Sequence, residues 1–131
     1  MLYATTHRDH DKHFILRADL KQLTSDFGPD FVVLVRAHYY YKWLPELAKL
    51  EREGRLLNVS QFPSVGRLML ASDVLVTDCS SIMFDYANLD RPMVIFASDW
   101  ETYQEVRGVY FDLFDKAPGP VTTTQETLRR C

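Results

Sequence analysis

The stretch Asp78-Cys79-Ser80-Ser81, with Asp85 four residues after Ser81, sets two hydroxyls and a carboxylate at what reads as the mouth of a helix. A helix opening there presents N–H groups that lack intrahelical partners. With the helix dipole and the Ser80 and Ser81 hydroxyls, they would form a phosphate cradle that needs no lysine. Asp85 falls on the same face one turn on, a position suited to a diol, either a ribose or a glycerol. The plainer reading makes Ser80 a helix cap and Asp85 a solvated residue. A second group is Arg36 and His38, at the end of an apolar run. The arginine fork suits phosphate oxygens, and the histidine could donate to a phosphate or a leaving group near neutral pH. Their plainer reading is an arginine closing a strand end through a salt bridge, and a histidine packed among Tyr39, Tyr40, Tyr41 and Trp43. Thr5 and Thr6 offer hydroxyls and amides at the end of the first apolar run.

Other patterns carry less chemistry. His7, His10 and His13 recur at intervals of three with Asp9 and Asp11 between them, but the segment reads as a solvated polar loop with no second ligand cluster to complete a metal site. Cys79 reads as a small residue in a tight turn. No GxxxxGK[ST], GxGxxG or GxSxG occurs, and with five glycines in all a glycine-rich nucleotide loop is disfavoured. A net charge of −3 leaves no broad attraction to nucleic acid or anionic lipid, so an anionic ligand needs a local site. Two cysteines without CxxC spacing argue against a disulfide scaffold or zinc ribbon and suit a reducing cytosol. No signal peptide is read, and apolar runs such as Met93 to Ala97 are too short to span a bilayer.

These residues need elements to position them. The 131 residues, 47% hydrophobic and 25% charged, fit one globular domain. A strand is expected almost from residue 1 and a helix over 14–27, stopped by Gly28-Pro29. Strands are expected over 31–36 and 56–60, with a helix between them ending near Gly54. A helix over 63–72 begins on Pro63. A strand over 73–78, a helix from Ser80 to about Asn88 and a strand over 92–96 follow. Near the end, a short apolar piece and a Pro-Gly-Pro loop precede a helix with Thr123 and Glu126 spaced as a capping box. The run at 31–36 is apolar at consecutive positions, as in a strand covered on both faces. Strands alternating with helices predict a parallel sheet with helices on both sides and right-handed crossovers. Ligands of such sheets bind beyond the carboxyl ends of the strands. That rule directs attention to Thr5-Thr6, Arg36-Ala37-His38, Ser60-Gln61, Thr77 to Ser81, and Ala97-Ser98-Asp99.

The segments LYATTHRD, VRAHYY, ASDVLVTDCSSIMFDYANLDRPMVIF and RGVYFDLFDKAPGPV together resemble the CDP-glycerol glycerophosphotransferase family, the enzymes that build teichoic acids and related polymers. The likeness runs from about residue 2 to 121. It implies a three-layer Rossmann-like α/β domain, the C-terminal, donor-binding half of a GT-B-type enzyme, and so a fragment of a longer two-domain protein. It implies that Thr5 and Thr6 touch the donor, that Arg36, Ala37 and His38 stand on the family's Arg-x-His segment, that Ser80 and Ser81 are its phosphate-binding serine pair, and that Asp85 is its donor-binding aspartate. Arg36 and His38 become the catalytic candidates. Thr5 replaces the family's usual proline and Cys79 its usual tyrosine. The family's His-Gly motif, carrying the general base, belongs to the N-terminal domain, and no such dipeptide occurs in this sequence. The implied reaction is attack by a polymer hydroxyl on the β-phosphate of CDP-glycerol or a related CDP-polyol, releasing CMP, with no metal or other cofactor. The acceptor would be held by the N-terminal domain, and the isolated chain would bind donor without turnover. The full-length protein would be cytoplasmic and peripheral at the inner face of the membrane, with membrane contact made only through the rest of it.

Two other readings use the same residues. A nucleotide-sugar glycosyltransferase or epimerase of the same architecture would share the strand–serine–helix–carboxylate logic. A non-enzymatic α/β module could use Asp78 as a phosphoacceptor, although the first strand lacks neighbouring acids at its tip and Met93 to Trp100 holds no lysine.

Overall fold

The computed structural model describes residues 1–5, 18–36, 45–78, 80–101, 105 and 113–131. In chain order the elements are β1 (Leu2–Ala4), α1 (Leu20–Phe27), β2 (Val33–Arg36), α2 (Pro45–Arg52), β3 (Leu56–Asn58) and α3 (Val65–Leu70), then β4 (Leu75–Thr77), α4 (Ile82–Ala87), β5 (Met93–Phe96), α5 (Leu113–Lys116), β6 (Val121–Thr122) and α6 (Gln125–Arg130). The six strands form one sheet in the order β3-β2-β1-β4-β5-β6, and every pairing is parallel. This is the expected three-layer Rossmann-like α/β architecture. The chain winds outward from β1 through β2 to β3, then returns to the centre and winds the other way from β4.

Alternation along the strands assigns each side chain to one of two cores. Tyr3, Val33, Val35, Val76, Val94 and Phe96 face one side, where Leu20 and Leu23 of α1, Leu47 of α2 and Leu128 of α6 cover them. Leu2, Leu75, Met93 and Ile95 face the other, under Leu68 of α3, Ile82, Met83 and Tyr86 of α4, and Leu113 of α5. All four β5 residues are buried, which is why its sequence is apolar without a break. Each fully buried aliphatic side chain contributes about 1.5–3 kcal/mol by leaving water.

Several boundaries differ from the sequence expectation, and the caps explain how. Asp19, in extended conformation, accepts from the Gln22 N–H and starts α1 at Leu20, six residues after the expected start. Ser64 caps α3 through the Arg67 N–H, so Pro63 lies just outside the helix. Thr124 caps α6 by accepting from the Thr127 N–H. The expected box on Thr123 is therefore one residue out of register, and Glu126 is held by Arg130 at 2.6 Å instead.

Buried polar groups tie the layers together. Tyr86, fully buried, donates to the Ser72 carbonyl at 2.9 Å. Arg91, just before β5, donates from Nη1 to the carbonyls of Leu70 and Ser72 at 2.7 and 2.8 Å, closing the end of α3. Arg55 does the same for α1, donating from Nη2 to Thr24 and Gly28 carbonyls at 2.6 and 3.0 Å. Gly119 is a glycine for lack of room: a Cβ there would lie 2.6 Å from Met93 Cγ and 2.7 Å from the Met93 carbonyl oxygen. On the outer surface, Arg129 of α6 pairs with Asp26 of α1. This arginine, with Gln22, holds the Asp26 carboxyl below its usual range.

Two stability predictions follow from these links. Tyr86→Phe removes one of two donors to the Ser72 carbonyl and costs about 1 kcal/mol, whereas Arg91→Ala removes the other and the Arg91 donor to the Leu70 carbonyl as well and costs about 2–3 kcal/mol, both read by urea unfolding. For Asp26 the folded pKa lies below the unfolded value of 3.8. The contribution of its pair is thus fully present above that value and lost as pH falls through the folded pKa. Asp26→Asn should make the midpoint fall less steeply below about pH 4, and an unchanged acid profile would remove the role assigned to this pair.

Candidate functional site

The point where the winding reverses lies between β1 and β4, and a parallel sheet opens a crevice there at its carboxyl edge. Ala4 pairs with Thr77, so the residues that follow, Thr5 on one side and Asp78 to Ser81 on the other, flank that crevice. Arg36 closes the next strand along and pairs with Ala4. The sheet thus brings Thr5, Arg36, Ser80 and Ser81 to one edge, where neighbouring strands lie about 4.8 Å apart. Thr6, Ala37 and His38 lie outside the described residues, as do Cys79 and the His7–His13 segment.

Thr5 is half-buried, and its N–H donates to the Arg36 carbonyl at 3.3 Å. The Arg36 side chain donates from Nη1 to the carbonyls of Val59 and Phe62 at 3.2 and 2.7 Å. It fastens the turn after β3 by these two hydrogen bonds. Nε and Nη2 are its further donors. The guanidinium is held by this turn, so its position is set before any ligand arrives.

The helix after β4 is shorter than its sequence suggested. Ser81 is the N-cap, with helical φ/ψ and no side-chain capping bond, and Ile82 is the first helical residue. Ser80 Oγ accepts from the Ile82 N–H at 3.4 Å. Met83 N–H donates to Ser80 O and Phe84 N–H to Ser81 O, at 3.3 and 3.1 Å. The first amides of α4, expected to face outward, are therefore engaged. The backbone donors left for an anion are those of Ser80 and Ser81, in the loop ahead of the helix. The Ser81 hydroxyl is exposed, and so is Asp85 in the first turn.

Just upstream, Asp78 is 4% exposed and Thr77 is 1% exposed. Thr77 Oγ1 has no hydrogen-bond partner among the described residues. A phosphoacceptor aspartate must meet its phosphodonor, and the burial of Asp78 speaks against the regulatory-module reading.

Among the described residues, two cavities border the sheet. One, of about 440 Å³, lies at the carboxyl ends of β5 and β6 and is lined by Ala97 to Glu101, Phe114 and Thr123. The sequence pointed to Ala97-Ser98-Asp99. It missed Phe114 and Thr123, because the two-residue β6 that delivers Thr123 leaves no periodic signal. The other cavity, of about 460 Å³, lies at the opposite edge, between Leu23 and Phe27 of α1 and Leu128 of α6. Its lining mixes apolar side chains with Asp26, Arg91 and Arg129, and none of the predicted site residues is part of it. Among the described residues no group of three or more His, Cys, Asp or Glu is placed to hold a metal ion, and no helix is long and apolar enough to cross a membrane.

A doubly wound parallel sheet with helices on both faces defines the three-layer Rossmann-like α/β class. The sequence profile of the CDP-glycerol:poly(glycerophosphate) glycerophosphotransferase family matches residues 1–130, and the chain belongs to that family. It is 41% identical to the teichoic acid poly(glycerol phosphate) polymerase of Bacillus subtilis (strain 168), over 98% of this chain and 18% of that protein. It is 34% identical to the teichoic acid glycerol-phosphate transferase of Staphylococcus aureus (strain NCTC 8325 / PS 47), over 98% of this chain and 34% of that protein. Among solved structures, the wall teichoic acid polymerase TagF matches with a TM-score of 0.80 at 37% identity, over 98% of this chain and 32% of that one. The chain thus spans between about a fifth and a third of the length of these relatives.

The Arg36 contacts generate a structural prediction. Arg36→Ala should free the Val59–Phe62 turn, costing about 1–2 kcal/mol of stability and speeding hydrogen exchange at the Phe62 amide. Exchange there as slow as in the unsubstituted chain would show that the turn does not depend on this guanidinium.

Proposed function

We propose that this chain is the donor-binding domain of a CDP-glycerol, or related CDP-polyol, glycerophosphotransferase. The whole protein would transfer glycerol phosphate to a hydroxyl of a teichoic-acid-like cell-wall polymer and release CMP. The observation that carries this reading is the family match across residues 1–130. The placement of Thr5, Arg36, Ser80 and Ser81 about the sheet's switch point is consistent with it. A TagF variant soaked with CDPG matches the chain with a TM-score of 0.81.

On this reading the donor's diphosphate spans the crevice between β1 and β4. The Ser80 and Ser81 amides and the Ser81 hydroxyl donate to phosphate oxygens, and Arg36 supplies charge through Nε and Nη2. Thr5 lines the same edge, and Asp85 accepts from a diol. An acceptor oxygen attacks the β-phosphorus and forms the new phosphodiester. The bond from that phosphorus to the bridging oxygen breaks, and CMP departs with the oxygen. Negative charge rises on the phosphoryl oxygens and on the leaving phosphate, where Arg36 and His38 would stabilise it. His38 could hand the leaving group its proton. The acceptor's proton passes to a base outside this chain, so donor binding without turnover is expected of the 131 residues alone. The polymer acceptor, and contact with the cytoplasmic face of the membrane, fall to the rest of the protein.

Calorimetric titration tests this. The chain should bind CDP-glycerol in preference to UDP-sugars. A preference for a UDP-sugar would favour the glycosyltransferase or epimerase reading instead. The double variant Ser80→Ala, Ser81→Ala should weaken CDP-glycerol binding about tenfold or more, with the urea midpoint lowered only by the loss of the Ser80 Oγ bond to the Ile82 N–H. Asp85→Ala should weaken CDP-glycerol more than inorganic phosphate, and equal losses would remove its diol role.

A further inference from the structure

Thr77 ends β4 at the switch point and carries a hydroxyl that the fold leaves unpaired. The residue is 1% exposed, and its Oγ1 has no hydrogen-bond partner among the described residues. Alternation sets the Thr77 side chain on the same face as Leu75, toward α3, α4 and α5. Its neighbours across the sheet are Ala4 on β1 and Ile95 on β5. Both lie on that face and bring no polar side-chain atom to it. After β4 the chain must cross the same face, because α4 covers it. The Ser80–Ser81 loop, which leads from the end of β4 into α4, is therefore the segment placed to supply this hydroxyl with a partner.

A buried hydroxyl without a hydrogen bond destabilises a fold. Valine has nearly the same shape, suits a strand and would remove that penalty. A threonine here calls for a second state of the chain in which its hydroxyl is paired. The loop has bonds to gain by shifting. Ser80 Oγ accepts from the Ile82 N–H at 3.4 Å, longer than is usual for such a bond. Ser81 stands at the N-cap with helical φ/ψ and makes no side-chain capping bond. Neither serine hydroxyl is firmly committed to the start of α4, so the loop can change its arrangement without breaking a strong contact there.

We infer that Thr77 is a positioning residue for the anion site: its hydroxyl pairs with the Ser80–Ser81 loop when phosphate is bound and holds the loop's donors in place. The inference rests on the proposed donor site and adds to it a change in the loop on binding. Phosphate oxygens draw the Ser80 and Ser81 amides toward them. The loop then settles against the end of β4, where Thr77 Oγ1 donates to one of its oxygens. Thr77 itself does not touch the donor. The stability lost to the unpaired hydroxyl in the free chain reappears as affinity in the bound one, because the ligand favours the state in which that hydroxyl is satisfied.

The test compares Thr77→Val and Thr77→Ser with the unsubstituted chain, by urea unfolding and by titration with CDP-glycerol. Thr77→Val should raise the unfolding midpoint and weaken CDP-glycerol about fivefold. Thr77→Ser keeps the hydroxyl and loses a buried methyl group. It should lower the midpoint and hold the affinity within roughly twofold. Stability and affinity move in opposite directions in this way when the hydroxyl is unpaired in the free chain and paired in the bound one. Thr77→Val with unchanged affinity overturns the inference and leaves the donor reading standing. A lowered midpoint for that variant does the same, because it shows the hydroxyl already paired without ligand. Equal losses of affinity in both variants would trace the effect to the shape of the side chain and also overturn it. If the unsubstituted chain does not bind CDP-glycerol, the donor reading itself falls, and the positioning role with it.

Discussion

The pairing of β1 with β4 is the constraint on which this structure depends. Leu2 and Leu75 meet across that pair, each fully buried. Because β4 returns to the middle of the sheet rather than adding to its outer edge, the helices that follow β1 and β4, α1 and α4, cover opposite faces, and the winding reverses between the two strands. Both faces of the central strands must then be covered. The two cores, one beneath α1, α2 and α6 and one beneath α3, α4 and α5, are the consequence of placing strands at the centre of a parallel sheet.

The candidate chemistry inherits that geometry. Strand ends supply Thr5, Arg36 and the Ser80–Ser81 loop from three neighbouring strands, so no single segment of sequence builds the site. Arg36 shows how a residue proposed to meet the ligand also serves the structure. One guanidinium nitrogen holds the Val59–Phe62 turn, which fixes the direction of the others. A preplaced cation loses less freedom on meeting an anion than a mobile one would. The same economy appears in the serine loop, where Ser80 Oγ and the two serine carbonyls satisfy the first amides of α4. The helix start is then closed without help from the ligand, and the donors that remain lie ahead of it.

How far the fold could be read from sequence depended on whether an element was buried on both sides. β4 and β5 carry unbroken apolar runs and stood out, and their ligand-edge neighbours followed by the strand-end rule. Elements fixed by a single cap were harder to bound. Asp19, Ser64 and Thr124 each decide a helix start through one side-chain bond, and for each an equally plausible start stood nearby in the sequence. β6 escaped notice because two residues carry no period. With it went Thr123 and the cavity it borders, a site made by juxtaposition across strands rather than by a motif. The serine pair and Asp85 were legible as residue types at a spacing. That the first helical amides are already engaged was not, because it depends on the helix beginning at Ile82 and not at Ser80.

The glycine between Pro118 and Pro120 has a bearing on that cavity. Its backbone lies so close to Met93 that any side chain would push the last strand away from the fifth. This contact works as a ruler at the amino-terminal end of β6. It sets how far the strand advances along its neighbour and hence where, four residues later, Thr123 emerges at the far side of the sheet. A crowded spot at one edge of the sheet thereby calibrates the depth of the recess at the opposite edge.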